Sequence, residues 1–377
     1  MKIAIDSRSA TWYHGTGIGT YTENLLRELL SLDSDNEYLL YWSGKSKDYI
    51  LNNPCKKVLT SKKHHRFFQQ HFFPYNLQKN NIELYHIPQN GIGLNSEIDC
   101  LKVATIHDLI PYIMPETVGK GYLCKFLKEI PNIIDSCDGL ITVSEYSKQD
   151  IMRFFPSFDP ERIFVTPLAT NSNFCQLNKD ACKKLISEKY NINSKFILYM
   201  GGFSDRKNVN SLIEAYSNVR SSLNEEIKLV ILGSYRDKSQ KLVTMCSDMN
   251  IEDHVIFAGF IPEEHVSSFY NACEVFVYPS YYEGFGLPPL EAMSCGTPVI
   301  CSTTTSIPEV VADSCIPINP YKLDSISNAI CKIIKDDNLR NALSQKGLER
   351  AKLFSWKYTA KKTLEAYEAI KHLSSCH

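Results

Sequence analysis

Two glutamates, Glu283 and Glu291, stand with seven residues between them around Gly284-Phe285-Gly286-Leu287-Pro288-Pro289. Gly284 and Gly286 free the backbone amides and the prolines set a first helical turn, so one carboxylate ends a loop and the other lies a turn inside a helix. A loop charge and a first-turn carboxylate complementing the helix dipole would account for each glutamate alone. Their spacing around a glycine-rich helix start favours a ligand site. Upstream, Gly201-Gly202-Phe203-Ser204-Asp205-Arg206-Lys207-Asn208 leads into another helical pattern. Adjacent cations at a helix N-terminus oppose its dipole at about 0.3–1 kcal/mol each. The pair therefore calls for an anion, and Arg206 with Lys207 reads as a diphosphate clamp, the arginine bidentate and the lysine a point charge.

The first half of the chain carries weaker signals. Thr16-Gly17-Ile18-Gly19-Thr20-Tyr21 follows the first strand pattern. Gly17 and Gly19 read either as a tight strand-to-helix turn or as a place where backbone approaches an anionic ligand. His107, in Thr105-Ile106-His107-Asp108-Leu109, ends another strand, where an imidazole can bond a sugar hydroxyl, move a proton or simply pack. In Val143-Ser144-Glu145-Tyr146-Ser147-Lys148, capping of a helix by Ser144 or Ser147 is explanation enough.

These residues sit at the ends of short apolar runs alternating with helix-period segments. Strands are expected at Lys2–Ile5, Tyr38–Trp42, Leu84–Ile87, Val103–Ile106, Leu140–Val143 and Ile163–Thr166, then at Phe196–Met200, Leu229–Leu232, Val255–Phe257, Val275–Tyr278 and Val299–Cys301. The alternation reads as βαβ units on two parallel sheets. A polar stretch near residue 175 divides them, giving domains at 1–175 and 176–355. The segment 356–377, with its helical spacing over Trp356–His372, packs on one of them. Two doubly wound sheets facing a cleft would gather the strand ends, and the residues above, around one ligand.

Composition bounds the possibilities. A length of 377 residues suggests about two domains. With 41 Lys+Arg against 42 Asp+Glu and 44% hydrophobic residues, neither a disordered chain nor a nucleic-acid binder is expected. Thirteen cysteines without a C-x-x-C pair fit reduced thiols in a cytoplasm. Met1–Asp6 enters an apolar alternation without signal-peptide features. No run of 18 apolar residues suggests a spanning helix. Asp33-Ser34-Asp35 follows a helix in a polar turn and reads as a loop, so no metal site is expected.

Taken together and in order, the glycine turn at 16–21, His-Asp-Leu at 107–109, Val-Ser-Glu-Tyr-Ser at 143–147, Arg-Lys-Asn at 206–208 and the paired glutamates through Ala292-Met293-Ser294-Cys295-Gly296-Thr297-Pro298-Val299 resemble the family-four retaining glycosyltransferases. The resemblance implies a GT-B fold: two Rossmann-like domains, the first for the acceptor and the second for the nucleotide-sugar, with the last helix crossing back to the first. It implies that Arg206 and Lys207 neutralise the donor diphosphate and that Gly202 and the segment Gly284, Phe285, Gly286 and Leu287 cradle phosphate and sugar. Glu283 would meet the sugar hydroxyls, Glu291 the ribose, His107 the donor sugar, and Gly17 and Gly19 the diphosphate or transferred sugar. Gly233-Ser234 and Gly259, Phe260 and Ile261 would line the base. No cofactor or metal is implied.

Within the family, Thr-Gly-Ile-Gly with His-Asp-Leu resembles bacterial enzymes of surface polysaccharides such as O-antigen or capsule. There GDP-mannose donors are common and acceptors are polyprenyl-diphosphate-linked glycans at the inner membrane face. Lys62-Lys63-His64-His65-Arg66-Phe67-Phe68 with Phe72-Phe73 would then be a peripheral membrane patch, or an ordinary amphipathic helix. The alternatives are a UDP-sugar-dependent transferase, a nucleotide-sugar epimerase, and a silent sugar-nucleotide-binding partner. The presence of Glu283, Glu291, Arg206 and Lys207 speaks against the last.

Overall fold

The computed structural model describes residues 1–45, 47–223, 226–233 and 237–375. The chain divides into two units, Met1–Leu168 with the stretch from Ser355, and Ala169–Phe354, where the sequence reading divides it near 175 and 355. The first unit carries strands β1 (Lys2–Asp6), β2 (Glu37–Trp42), β3 (Cys55–Leu59), β4 (Leu84–Ile87), β5 (Leu101–Ile106), β6 (Gly139–Thr142) and β7 (Ile163–Val165). They form one parallel sheet in the order β3-β2-β1-β4-β5-β6-β7. In the second unit, β8 (Lys195–Met200), β9 (Ile227–Leu232), β10 (Val255–Gly259), β11 (Val275–Tyr278), β12 (Val299–Ser302) and β13 (Cys315–Ile318) form a parallel sheet in the order β10-β9-β8-β11-β12-β13.

Both sheets are doubly wound, as the alternation of apolar runs and helical segments implies. Central strands such as β8 (KFILYM) and β9 (IKLVIL) are almost wholly buried because helices cover both faces. The two strands absent from the sequence reading lie at sheet edges. β3 reads CKKVL and stays half exposed, with lysines along its edge. β13 reads CIPI, and Pro317 is tolerated because an edge strand can spare a donor.

The winding gives each sheet one place where successive strands depart in opposite directions, between β1 and β4 and between β8 and β11. Ligands of open α/β sheets bind beyond the carboxyl ends of strands at such points. The segments after β1, β4, β8 and β11 are therefore the ones to inspect.

The last helix, Trp356–Ser375, belongs to the first unit. Ile370 lies against Gly139, where a Cβ would come within 2.3 Å of its Cδ1. The Tyr367 hydroxyl is 2.7 Å from Nδ1 of fully buried His86 on β4, whose Nε2 is 2.8 Å from Thr105 Oγ1 on β5. The segment around Lys62–Phe73 is helical from His65, with a π-turn at Phe68–Phe72; Lys62, Lys63, Arg66 and Phe67 are exposed and Phe73 is buried. No helix among the described residues is long and apolar enough to cross a membrane.

Tyr367→Phe leaves His86 Nδ1 buried without that partner and is expected to cost about 1–2 kcal/mol. All three tryptophans, Trp12, Trp42 and Trp356, lie in the first unit, so urea unfolding followed by their fluorescence reads it. An unchanged midpoint would show that the bond does not hold the helix.

Candidate functional site

In the second unit, the chain leaves β8 and makes a 3-10 turn at Asp205–Lys207. Asn208 follows in the left-handed region, with φ 56°, and its side-chain amide donates to the carbonyls of Pro279 (3.2 Å) and Pro320 (2.9 Å). That residue pins the turn to the loops beyond β11 and β13, and the Tyr281 amide adds a bond to the Arg206 carbonyl (2.8 Å). Arg206 Nη1 donates to Glu283 Oε2 and to the Tyr282 carbonyl, each at 2.8 Å. Lys207 Nζ donates to Glu283 Oε1 (2.7 Å) and the Tyr278 hydroxyl (2.8 Å). The anion that the cation pair calls for is in the first instance the chain's own Glu283, and the three charges sum to one net positive.

Burial alone would raise the Glu283 carboxyl, but Lys207 and then Arg206 outweigh it and hold it down at about 2. The loop after Glu283 is propped by the turn following β12. The Glu283 amide donates to Thr305 Oγ1 (3.1 Å), and Ser306 Oγ lies 2.8 and 2.7 Å from the carbonyls of Glu283 and Phe285. Gly286, at φ 130°, caps the helix Leu287–Ser294 in a conformation open mainly to glycine. Pro288 and Pro289 have no N–H, which leaves Leu287 as the amide donor of the first turn at the positive end of the dipole. Glu291, half-buried in that helix, accepts a bond from the Tyr270 hydroxyl at 3.0 Å. Burial lifts its carboxyl to about 7, against the opposing pull of Tyr270.

The other expected donor residues follow β8 and the strands on one side of it, β9 and β10. Gly202 is exposed after β8, and the Gly233 amide bonds the Gly259 carbonyl at 3.0 Å, linking the ends of β9 and β10. Phe260 is 75% exposed and Ile261 buried. Ser234 lies outside the described residues.

In the first unit, Gly17 and Gly19 open the helix Gly17–Leu32, capped by Thr16. A Cβ on Gly19 would come within 2.1 Å of the Tyr13 carbonyl oxygen. Close approach of the turn to itself thus explains this glycine, without a ligand. His107, beyond β5, is buried and meets the Tyr21 ring edge-on at 4.9 Å. Its Nε2 lies 2.8 Å from the Pro88 carbonyl, an acceptor only, so the hydrogen sits on Nε2 and Nδ1 keeps its lone pair. Burial lowers the imidazole to about 4, with the Pro88 bond opposing. At neutral pH it is an acceptor of hydrogen bonds and has no second proton to donate. Ser144 caps the helix Glu145–Phe154 by accepting from the Ser147 amide, and Asp33 bonds Asn36 and Tyr38 within its turn.

The structure thus brings Arg206, Lys207 and Glu283 into contact, places Gly284–Leu287 and Glu291 directly after them, and gathers the Gly17–Gly19 turn and His107 at one corner of the first unit. Sequence reasoning missed Asn208 as the pin, Tyr278 and Tyr270 as partners of Lys207 and Glu291, and Thr305 and Ser306 as props. It also missed Asp6, Arg8 and Gln89 beside the first switch point. An acidic residue closing an apolar strand, with an arginine two positions on, is the signal that points to Asp6 and Arg8.

The chain and its fold resemble known proteins. Residues 183–350 match the family model for glycosyl transferases group 1. The chain is 34% identical over 269 residues to O-antigen chain mannosyltransferase B of Escherichia coli, covering 71% of this chain and 70% of that protein. It is 28% identical over 272 residues to the serotype-specific mannosyltransferase WbdA of Escherichia coli; the match takes 71% of this chain and spans only 33% of WbdA. The fold resembles that of Anabaena HepE in complex with UDP and glucose, with a TM-score of 0.76 over 98% of this chain and all of that one, at 15% identity.

Because Glu291 titrates near 7 when folded against about 4.3 when unfolded, the folded state holds its proton more tightly. Stability contributed by the protonated form is full at low pH and is lost as pH rises between those values. Glu291→Gln is therefore expected to gain stability relative to wild type between pH 5 and pH 8 in urea titrations read by circular dichroism. Parallel curves across that range would contradict it.

Proposed function

This chain belongs to the group 1 glycosyltransferases, and within that family we propose that it transfers mannose from GDP-mannose, with retention at the anomeric carbon, to a saccharide acceptor in surface-polysaccharide synthesis. The carrying observation is the Arg206–Glu283–Lys207 cluster at the second switch point, two cations held together beside a helix N-terminus. A donor diphosphate is a better partner for those cations than a single carboxylate shared between them. Mannose is favoured because the relatives reported above are named mannosyltransferases.

In this reading the diphosphate sits against Arg206, Lys207 and the Leu287 amide, and Glu283, kept ionised, turns its oxygens to sugar hydroxyls. Glu291 takes the ribose and Phe260 borders the base; in the first unit, taken by itself, His107 offers Nδ1 to a hydroxyl of a bound saccharide. The bond from the anomeric carbon to the phosphate oxygen breaks as the acceptor oxygen adds on the same face, and the acceptor proton passes to the departing phosphate. Fixed positive charge where the leaving group gains negative charge supplies the main catalytic effect. No metal is required. The exposed Lys62, Lys63, Arg66 and Phe67 suit an acceptor carried on a membrane polyprenyl diphosphate.

The test is transfer from GDP-mannose to lipid-tailed mannosyl oligosaccharides, in the presence of EDTA, with the new linkage read from its one-bond carbon–hydrogen coupling. An α product is expected, and Lys207→Ala should lower kcat by about 10²–10³. A β product would overturn retention, and turnover of UDP-glucose but not GDP-mannose would overturn the donor.

A further inference from the structure

The ends of β1, β4 and β5 lie side by side in the first sheet, and a continuous set of buried polar groups crosses them. Asp6 closes β1 and is 1% exposed; Arg8 is fully buried. Arg8 Nε donates to Asp6 Oδ1 at 2.7 Å and Nη2 to Oδ2 at 2.5 Å, while the guanidinium lies 4.7 Å from the Trp12 ring centroid and 4.8 Å from that of Phe73. Gln89, beyond β4, donates its side-chain amide to Asp6 Oδ2 at 2.7 Å. Its neighbours on both sides hold His107: the Pro88 carbonyl takes Nε2–H at 2.8 Å and Asn90 Oδ1 takes the backbone N–H at 2.9 Å. Asn90 and Gly91 are both left-handed, at φ 52° and 64°, so this segment has little freedom to find the same geometry unaided.

The Arg8 carbonyl also accepts from the Trp12 amide and Thr11 Oγ1, starting the run of turns that ends at Gly19. As a source of stability the ion pair is a poor choice. A buried pair roughly balances its own desolvation. Arg8 Nη1 and Gln89 Oε1 are also buried without hydrogen-bond partners, and such atoms lose their hydration with nothing to replace it.

We infer that Asp6, Arg8 and Gln89 are positioning residues for His107: the ion pair holds Gln89, Gln89 fixes the Pro88–Asn90 segment, and that segment sets the imidazole with Nε2–H bound and Nδ1 presented as an acceptor. The inference deepens the reading above, in which Nδ1 meets a sugar hydroxyl. It makes the choice of tautomer a property of the end of β1, two strands away from the histidine.

The test is Gln89→Met, nearly the same shape but without the donor to Asp6, and Gln89→Leu, which removes the same donor while leaving Asp6 and Arg8 paired. Ring 15N chemical shifts of His107 in the protein without substrate are the primary reading. Wild type should show a single Nε2–H tautomer, and both variants a mixture with averaged shifts. With donor and acceptor, kcat should fall about ten- to a hundredfold and KM for the donor change little. Leu77→Ala, a core truncation in the same unit, controls for general loosening and should lower the melting temperature while keeping the single tautomer. An unmixed Nε2–H tautomer in Gln89→Met and Gln89→Leu would overturn the inference. Unchanged transfer by His107→Ala would instead remove the sugar-contact reading, leaving the tautomer result to decide the positioning on its own.

Discussion

One carboxylate shared between two cations is the interaction on which the second unit's site depends. Glu283 lies 76 residues from Lys207 along the chain, yet each of its oxygens is bonded to a different cation at 2.7 or 2.8 Å. The bonds tie the segment beyond β8 to the segment beyond β11, and they do so where the sheet's winding reverses. Breaking a largely buried ion pair costs about 3–5 kcal/mol because the partner charge is left stranded. Here two adjacent cations would be stranded together. Two cations held at one point, next to the helix starting at Leu287, are what a diphosphate would use.

The first unit solves a different electrostatic problem with the same topology. Its switch point also carries a buried ion pair, Asp6 with Arg8, but the charges cancel and the nearby imidazoles of His86 and His107 are held neutral by burial. A neutral polar surface suits uncharged hydroxyl groups, as a positive one suits phosphate. Similar winding in a seven-stranded and a six-stranded sheet thus surrounds a charge-cancelled pair in one unit and a cation pair in the other, according to the side chains at the strand ends.

Much of this was legible in the chain. The strands buried on both faces announce themselves as apolar runs, and the glycine and proline pattern between Glu283 and Glu291 marks a helix start. Edge strands β3 and β13 did not, since lysines and a proline are compatible with an edge and mimic loop. The cation pair was legible as needing an anion, but its protein partner was not, because only the adjacency of β8 and β11 brings Glu283 to it. Gly19 shows the opposite case: a glycine that invited a ligand is explained by the Tyr13 carbonyl. Asp6, Arg8 and Gln89 were hidden for the same reason as Glu283, their meaning lying in strand order.

Diphosphate binding at Arg206 and Lys207 is the central proposal, and calorimetric titration tests it directly. GDP and UDP, each with its monophosphate, would be titrated into wild type and into Lys207→Met. One base is expected to bind, its diphosphate tighter than its monophosphate, and the difference is expected to collapse in the variant. Equal affinity for monophosphate and diphosphate, or a diphosphate advantage that survives loss of the lysine charge, would contradict it.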